Sequence, residues 1–145
     1  MREIKFRAKR INSDTMETMS EWVYGFYVET KDGSPYIRSN TDFLTYMIDP
    51  TTLGQCTNLK DAKGKIIYEG DVLAMKNKDF PFGIVMWHND GYFCVEEHLK
   101  RDEPTEHISL GELLRVEVRG IVCNFVVMGN RVDNPELFKQ NESQD

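Results

Sequence analysis

The residues with the clearest chemical potential surround an acidic turn. Tyr68-Glu69-Gly70-Asp71 places two carboxylates two positions apart, with Asp61 upstream. Such a pair could work as general acid and base. The same residues also suit a turn, where Gly70 supplies conformational freedom and acidic side chains accept bonds from nearby backbone amides. The turn reading is favoured because that role is generic. Asp61-Ala62-Lys63-Gly64-Lys65 does not match a P-loop, which needs G-x-x-x-x-G-K-[ST], and the alternating oxygen ligands of an EF-hand are absent. No G-x-S-x-G, H-E-x-x-H or G-x-G-x-x-G occurs.

The metal-ligating types are scattered. His88, His98 and His107 are far apart, and Cys56, Cys94 and Cys123 form no C-x-x-C. Cys94 and His98 would share one face of a strand, but a metal site needs more ligands at close spacing. No catalytic residue, metal ligand or cofactor is therefore assigned. Trp22, Trp87, Tyr92 and Phe93 could line a groove for an extended peptide. The core is the favoured place for them, since aromatic side chains bury the most surface.

These residues must be positioned by a chain of 145 residues, enough for one domain or two small lobes. Hydrophobic residues make up 40% and charged residues 29%, a globular balance that excludes a disordered chain. No run is long and apolar enough for a transmembrane helix, and the charged start MREIKFRAKR lacks the apolar core of a secretory signal. Three separate thiols fit a reducing cytoplasm. The net charge of −6 argues against a duplex DNA binder. The first ten residues run the other way, with Arg2, Lys5, Arg7, Lys9 and Arg10 against Glu3. They could touch phosphate, but alternating cations are more often the solvated face of an edge strand.

Strands and tight turns dominate. Residues 3–11 alternate, with Ile4, Phe6 and Ala8 on one face and Lys5, Arg7 and Lys9 on the other. Thr15–Met19 returns after a turn at Asn12–Asp14. Trp22–Val28, Tyr36–Arg38 and Phe43–Ile48 are further strands, with Gly25 marking a bulge or a close backbone approach. Asp49-Pro50 stops the chain, because a residue before proline avoids the helical region. Hairpin turns follow at Asp61–Gly64, Glu69-Gly70 and Asn89–Gly91, among strands at Ile66–Tyr68, Asp71–Lys76, Gly83–His88 and Tyr92–Glu96. Residues 96–106 read as a solvated loop. Ser109-Leu110-Gly111-Glu112 has the form of a capping box before a short helix. Val116–Val122 and Phe125–Met128 are the last strands, and Asn134-Pro135 opens a helical turn.

The chain also resembles the YopX family of small phage and prophage proteins. The opening Arg2-Glu3-Ile4-Lys5-Phe6-Arg7-Ala8 fits it, as do Trp22-Val23-Tyr24-Gly25 and Gly129-Asn130 with Asn134-Pro135-Glu136-Leu137. The most specific run is central: Asp49-Pro50, Gly54-Gln55, Leu59-Lys60-Asp61, Gly64-Lys65 and Ile67-Tyr68-Glu69-Gly70-Asp71-Val72. Lys9, Cys56 and Asn58 depart from the family pattern. The resemblance implies a mainly β fold with a small SH3-like barrel or roll, an N-terminal β-hairpin lobe and short helices. The expected division is a β lobe at 1–50, a barrel domain with a C-terminal helical turn at 51–138 and a frayed tail at 139–145. The resemblance supplies no reaction. It implies a cytoplasmic, non-catalytic binding module that self-associates as a homo-oligomer or binds a host or phage protein. A nucleic-acid partner is the alternative, and no membrane partner is expected. Gln55, Tyr68, Glu69 and Asp71 are the binding positions it suggests.

Overall fold

The computed structural model describes residues 3–97, 107–115, 117–118, 121–122 and 124–139. It is mainly β, and its contacts divide the chain into two units, Met1–Asn58 and Leu59–Asp145.

The first unit is an antiparallel sheet. Its strands are β1 (Phe6–Ile11), β2 (Thr18–Glu29), β3 (Pro35–Ser39), β4 (Thr45–Met47) and β5 (Gly54–Lys60), in the order β4-β3-β2-β1-β5. Short polar turns reverse the chain. Asn12 Oδ1 accepts from the Asp14 amide at 2.9 Å, and the Gly33 amide donates to the Thr30 carbonyl at 2.9 Å. Ala8, Val23, Ile37 and Ile48 form the core, with Phe6, Tyr46 and Leu53 packed around them.

β1 corrects one expectation. It lies between β2 and β5, so Arg7 and Lys9 are not on a solvated edge; each is only 5% exposed. Burying a cation is costly unless other groups replace its water. Here Trp22 does part of that. The Arg7 guanidinium sits 4.7 Å from its ring centroid and Lys9 Nζ 4.6 Å, while Lys9 Nζ also donates to the Ser20 carbonyl at 2.5 Å.

The second unit takes up the last residues of β5 and β6 (Ile66–Tyr68), which returns beside it. Its main sheet is made by β7 (Asp71–Met75), β8 (Gly83–His88), β9 (Tyr92–Glu97), β10 (His107–Ser109) and β13 (Phe125–Asn130). The order is β10-β9-β8-β7-β13: an antiparallel meander whose last strand returns beside its first. No pairing among the described residues joins β10 to β13, so of the barrel or roll that the resemblance implied, these residues form no closed barrel. β11 (Glu117–Val118) and β12 (Ile121–Val122) pair with each other, splitting the single strand expected over 116–122.

Ile67, Leu73, Val85, Val95, Leu110, Leu113 and Phe125 form the second core. Each large apolar side chain buried this way contributes roughly 1.5–3 kcal/mol. β7 alternates in sequence, yet Val72, Leu73 and Ala74 are all fully buried, so both of its faces are covered.

Helices are short. α1 (Leu110–Leu113) follows Ser109, but the Ser109 side chain makes no capping bond, so the capping box is absent. α2 (Glu136–Lys139) begins after Pro135. His98, Cys123, most of the 96–106 loop and the tail beyond Lys139 lie outside the described residues.

Candidate functional site

The residues that most resembled chemistry are holding turns. Asp61 is 8% exposed. Its Oδ1 accepts from the Lys63 and Lys65 amides, each at 2.9 Å, and its Oδ2 accepts from the Val127 amide at 2.9 Å. One carboxylate thus closes the Asp61–Lys65 loop and ties it to β13. Asp71 is 1% exposed, and its Oδ2 accepts from the Tyr68 amide at 2.8 Å across the Tyr68–Asp71 turn. Gly70 takes φ +94, and its amide donates to the Val85 carbonyl at 2.7 Å. At the end of β13, Asn130 Oδ1 accepts from the Val132 and Asp133 amides, and Asn134 Oδ1 accepts from the Asn130 amide. Asp49 accepts from the Thr51 amide and from the hydroxyls of Thr51 and Thr18. Those two hydroxyl bonds hold its carboxyl below the usual carboxylate range, Thr51 contributing most.

Of the four family-motif positions, Tyr68, Glu69 and Asp71 share this one turn in the second unit. Gln55 lies in the first unit, on β5 opposite Phe6. Gln55, Tyr68 and Glu69 are half-buried, whereas Asp71 is buried.

A second grouping lies on β8, β9 and β10. His88 stacks on Tyr92 with ring centroids 4.6 Å apart, and His107 meets His88 edge-on at 5.4 Å. The register puts Cys94 on the same face, opposite Met86 and Ser109. Burial and then the nearby Glu96 charge push the Cys94 thiol above its ordinary range, which disfavours the nucleophilic thiolate. A cleft of about 550 Å3 beside it is lined by Tyr92, His107, Ile108, Ser109 and Glu112. Among the described residues no three His, Cys, Asp or Glu side chains converge as metal ligands. Trp87 and Tyr92 are exposed, against the expectation that they fill the core, while Phe93 packs on it.

The third grouping is the face of the first sheet turned away from its core. β2 sends Val23, Gly25 and Tyr27 to the core side and Trp22, Tyr24, Phe26 and Val28 to the other. Arg38 stands opposite Phe26, Tyr36 opposite Val28, and Met47 opposite Tyr36. An antiparallel sheet commonly buries one face and solvates the other with polar side chains. Here the second face is aromatic, and Tyr24, Phe26 and Val28 are exposed, Phe26 to 48%. Gly25, on the core side of β2, lets β3 come close: a Cβ there would sit 2.0 Å from the Arg38 carbonyl oxygen. Sequence reasoning missed this face. The signal was available in Trp22–Val28, where both strand parities are apolar and one sheet face cannot bury them all.

A family model described as YopX protein matches residues 5–139. No curated protein matches the chain.

Proposed function

As the chain belongs to the YopX family, we propose that it is a non-catalytic binding module of a phage or prophage, acting in the cytoplasm of the bacterial host. Its partner is a host or phage protein or a second copy of itself. The observation that carries this reading is the aromatic outer face of β2, β3 and β4. Exposed contiguous apolar surface on a small domain marks an interaction site, and Tyr, Phe, Met and Arg are the types enriched at interfaces. The turn roles of Asp61 and Asp71 support the non-catalytic part, since both carboxylates are committed to backbone amides. Gln55, Tyr68 and Glu69 are further partner-contact positions in this reading, with Asp71 shaping their turn. The order β10-β9-β8-β7-β13, with α1 between β10 and β13, supports an SH3-like roll for the second unit. No helix among the described residues is long and apolar enough to cross a membrane.

The nucleic-acid alternative draws less support. Arg7 and Lys9, which would contact phosphate, are buried against Trp22. The test is a photo-crosslinking phenylalanine analogue at position 26, introduced in host cells that carry the phage or prophage. A discrete protein adduct, or a dimer of this chain, is the expected result. Irradiation that gives no adduct from position 26 or from position 24 would overturn the reading. Light scattering at micromolar concentration then separates the two partners, a mass near 16.9 kDa marking a chain that does not pair with itself.

A further inference from the structure

Asp-Gly occurs twice in the chain, at Asp32-Gly33 and Asp90-Gly91, and the fold puts both at the tips of hairpins, β2–β3 and β8–β9. This dipeptide can rearrange without an enzyme. The glycine amide nitrogen attacks the carboxyl carbon of the aspartic side chain. A C–N bond forms, the C–OH bond breaks, and the hydroxyl leaves with the amide proton as water, closing a five-membered succinimide. Water then adds back and opens either C–N bond of the ring. Opening on the main-chain side leaves the peptide running through the side chain: an isoaspartate, with one methylene more in the backbone. No oxidant or cofactor is consumed. Glycine favours the attack because no Cβ crowds the nitrogen.

The two turns have matching backbones. Gly33 takes φ +86 and Gly91 takes φ +91. The Gly33 amide donates to the Thr30 carbonyl and the Gly91 amide to the His88 carbonyl, each at 2.9 Å. Nothing lies within 4 Å of a Cβ at Gly91, and at Gly33 there is only Glu29 Oε1 at 4.0 Å.

Their carboxylates differ. Asp32 Oδ1 accepts from the Thr30 hydroxyl and from the Ser34 amide, the latter at 3.2 Å. These bonds must break before the carboxyl can turn to the Gly33 amide. They also hold it below the usual carboxylate range, Thr30 contributing most, and an ionised carboxylate is the poorer acyl group. The Asp90 side chain is 79% exposed. Among the described residues its carboxylate meets His88 Nδ1 at 3.6 Å, longer than a hydrogen bond. An added methylene would also matter here. His88 pairs with Tyr92 and Trp87 with Phe93 across this hairpin, with ring centroids 4.6 and 4.8 Å apart. Turn length sets that register, so a longer turn strains the Gly91–His88 bond and the ring contacts behind it.

We propose that Asp90 is a site of spontaneous isoaspartate formation, and that this modification loosens the tip of the β8–β9 hairpin.

The experiment ages the full chain at neutral pH in heavy-oxygen water. Mass spectrometry with electron-transfer fragmentation then separates isoaspartate from aspartate at each turn. Every succinimide that opens takes up one heavy oxygen. Uptake at Asp90 should exceed uptake at Asp32 at least about fivefold, the factor set by one hydrogen bond that must first break. Thr30→Val removes one donor to Asp32 and should narrow that ratio. Asp90→Glu cannot close a five-membered ring and should abolish uptake at position 90, with an unchanged circular dichroism spectrum showing an intact fold. The isoaspartate fraction, separated by ion exchange, should melt about 2–4 °C below fresh protein, the shift expected for one lost turn hydrogen bond. Equal uptake at the two turns, more at Asp32, or none at Asp90 would overturn the proposal. So would a ratio that Thr30→Val leaves unchanged, because the carboxylate bonds would then not be what separates the turns. Isoaspartate at Asp90 with an unaltered melting curve would overturn the loosening of the hairpin.

Discussion

Replacing Asp61 tests whether the acidic motif residues build the fold or do chemistry. The carboxylate accepts from three backbone amides, two within the Asp61–Lys65 loop and one, Val127, on β13. Asp61→Ala removes both acceptor oxygens and with them all three bonds. Lys63 and Lys65 are exposed, so their amides can turn to water at small cost. Val127 is half-buried and its amide would lose its partner. A hydrogen bond to a charged group is worth about 1.5–3 kcal/mol, and leaving a buried donor unsatisfied costs about 1–3 kcal/mol. Since these overlap, the expected loss is about 2–4 kcal/mol. Asp61→Asn keeps one carbonyl acceptor and should lose about half as much. Urea titration with circular dichroism and Trp fluorescence measures both variants. For a chain of this size each kcal/mol moves the melting temperature by about 2–4 °C, so the Ala variant should melt roughly 4–16 °C lower. An Ala variant within 0.5 kcal/mol of the parent, or an Asn variant as damaged as Ala, would refute the argument. A stable Asp61→Asn protein that lost partner binding outright would return the carboxylate to a functional role.

Three further outcomes are expected. Gly25→Ala should destabilise by about 3 kcal/mol, because its Cβ would meet the Arg38 carbonyl at 2.0 Å and force β2 and β3 apart; denaturant titration reads it, and a loss below about 1 kcal/mol would refute the close approach. Gly91→Val should cost about 1 kcal/mol or more from backbone strain alone, since φ is +91 and nothing lies within 4 Å of the added Cβ; a neutral melting curve would contradict that φ. Asp49 has a folded pKa lowered from its ordinary 3.8, chiefly by the Thr51 and then the Thr18 hydroxyl bonds. Its bonds therefore stabilise the fold above about pH 4 and are lost as pH falls through the lower folded value. Asp49→Asn should flatten the acid limb of the stability–pH curve below about pH 4, whereas an unchanged limb would show that the carboxylate contributes nothing as an anion.

What the sequence determined by itself is mostly local. Alternation and turn residues place several strands, among them β3, β6, β7, β8 and β9, to within a residue or two, because side-chain period and turn geometry are properties of neighbouring residues; β5 and β10 were not expected, and β2 runs unbroken from Thr18 to Glu29 where two segments were expected. Gly83–His88 matches to the residue, and Gly64 and Gly91 take positive φ, +82 and +91, at the expected hairpin turns. The turn role of Asp61 and Asp71 was legible for the same reason, though the bond from Asp61 to Val127 spans 66 positions and no local pattern encodes it. Tertiary structure decided which strands are interior. Lys5-Phe6-Arg7-Ala8-Lys9 has the alternation of a solvated edge, and only pairing with both β2 and β5 turns Arg7 and Lys9 into buried cations against Trp22. It also decided that Trp87 and Tyr92 stay exposed near the end of a hairpin, and that Trp22–Val28 presents aromatic side chains away from the core. Periodicity assigns residues to two faces of a strand. Which face is covered depends on what packs against it, and that is a property of the whole chain.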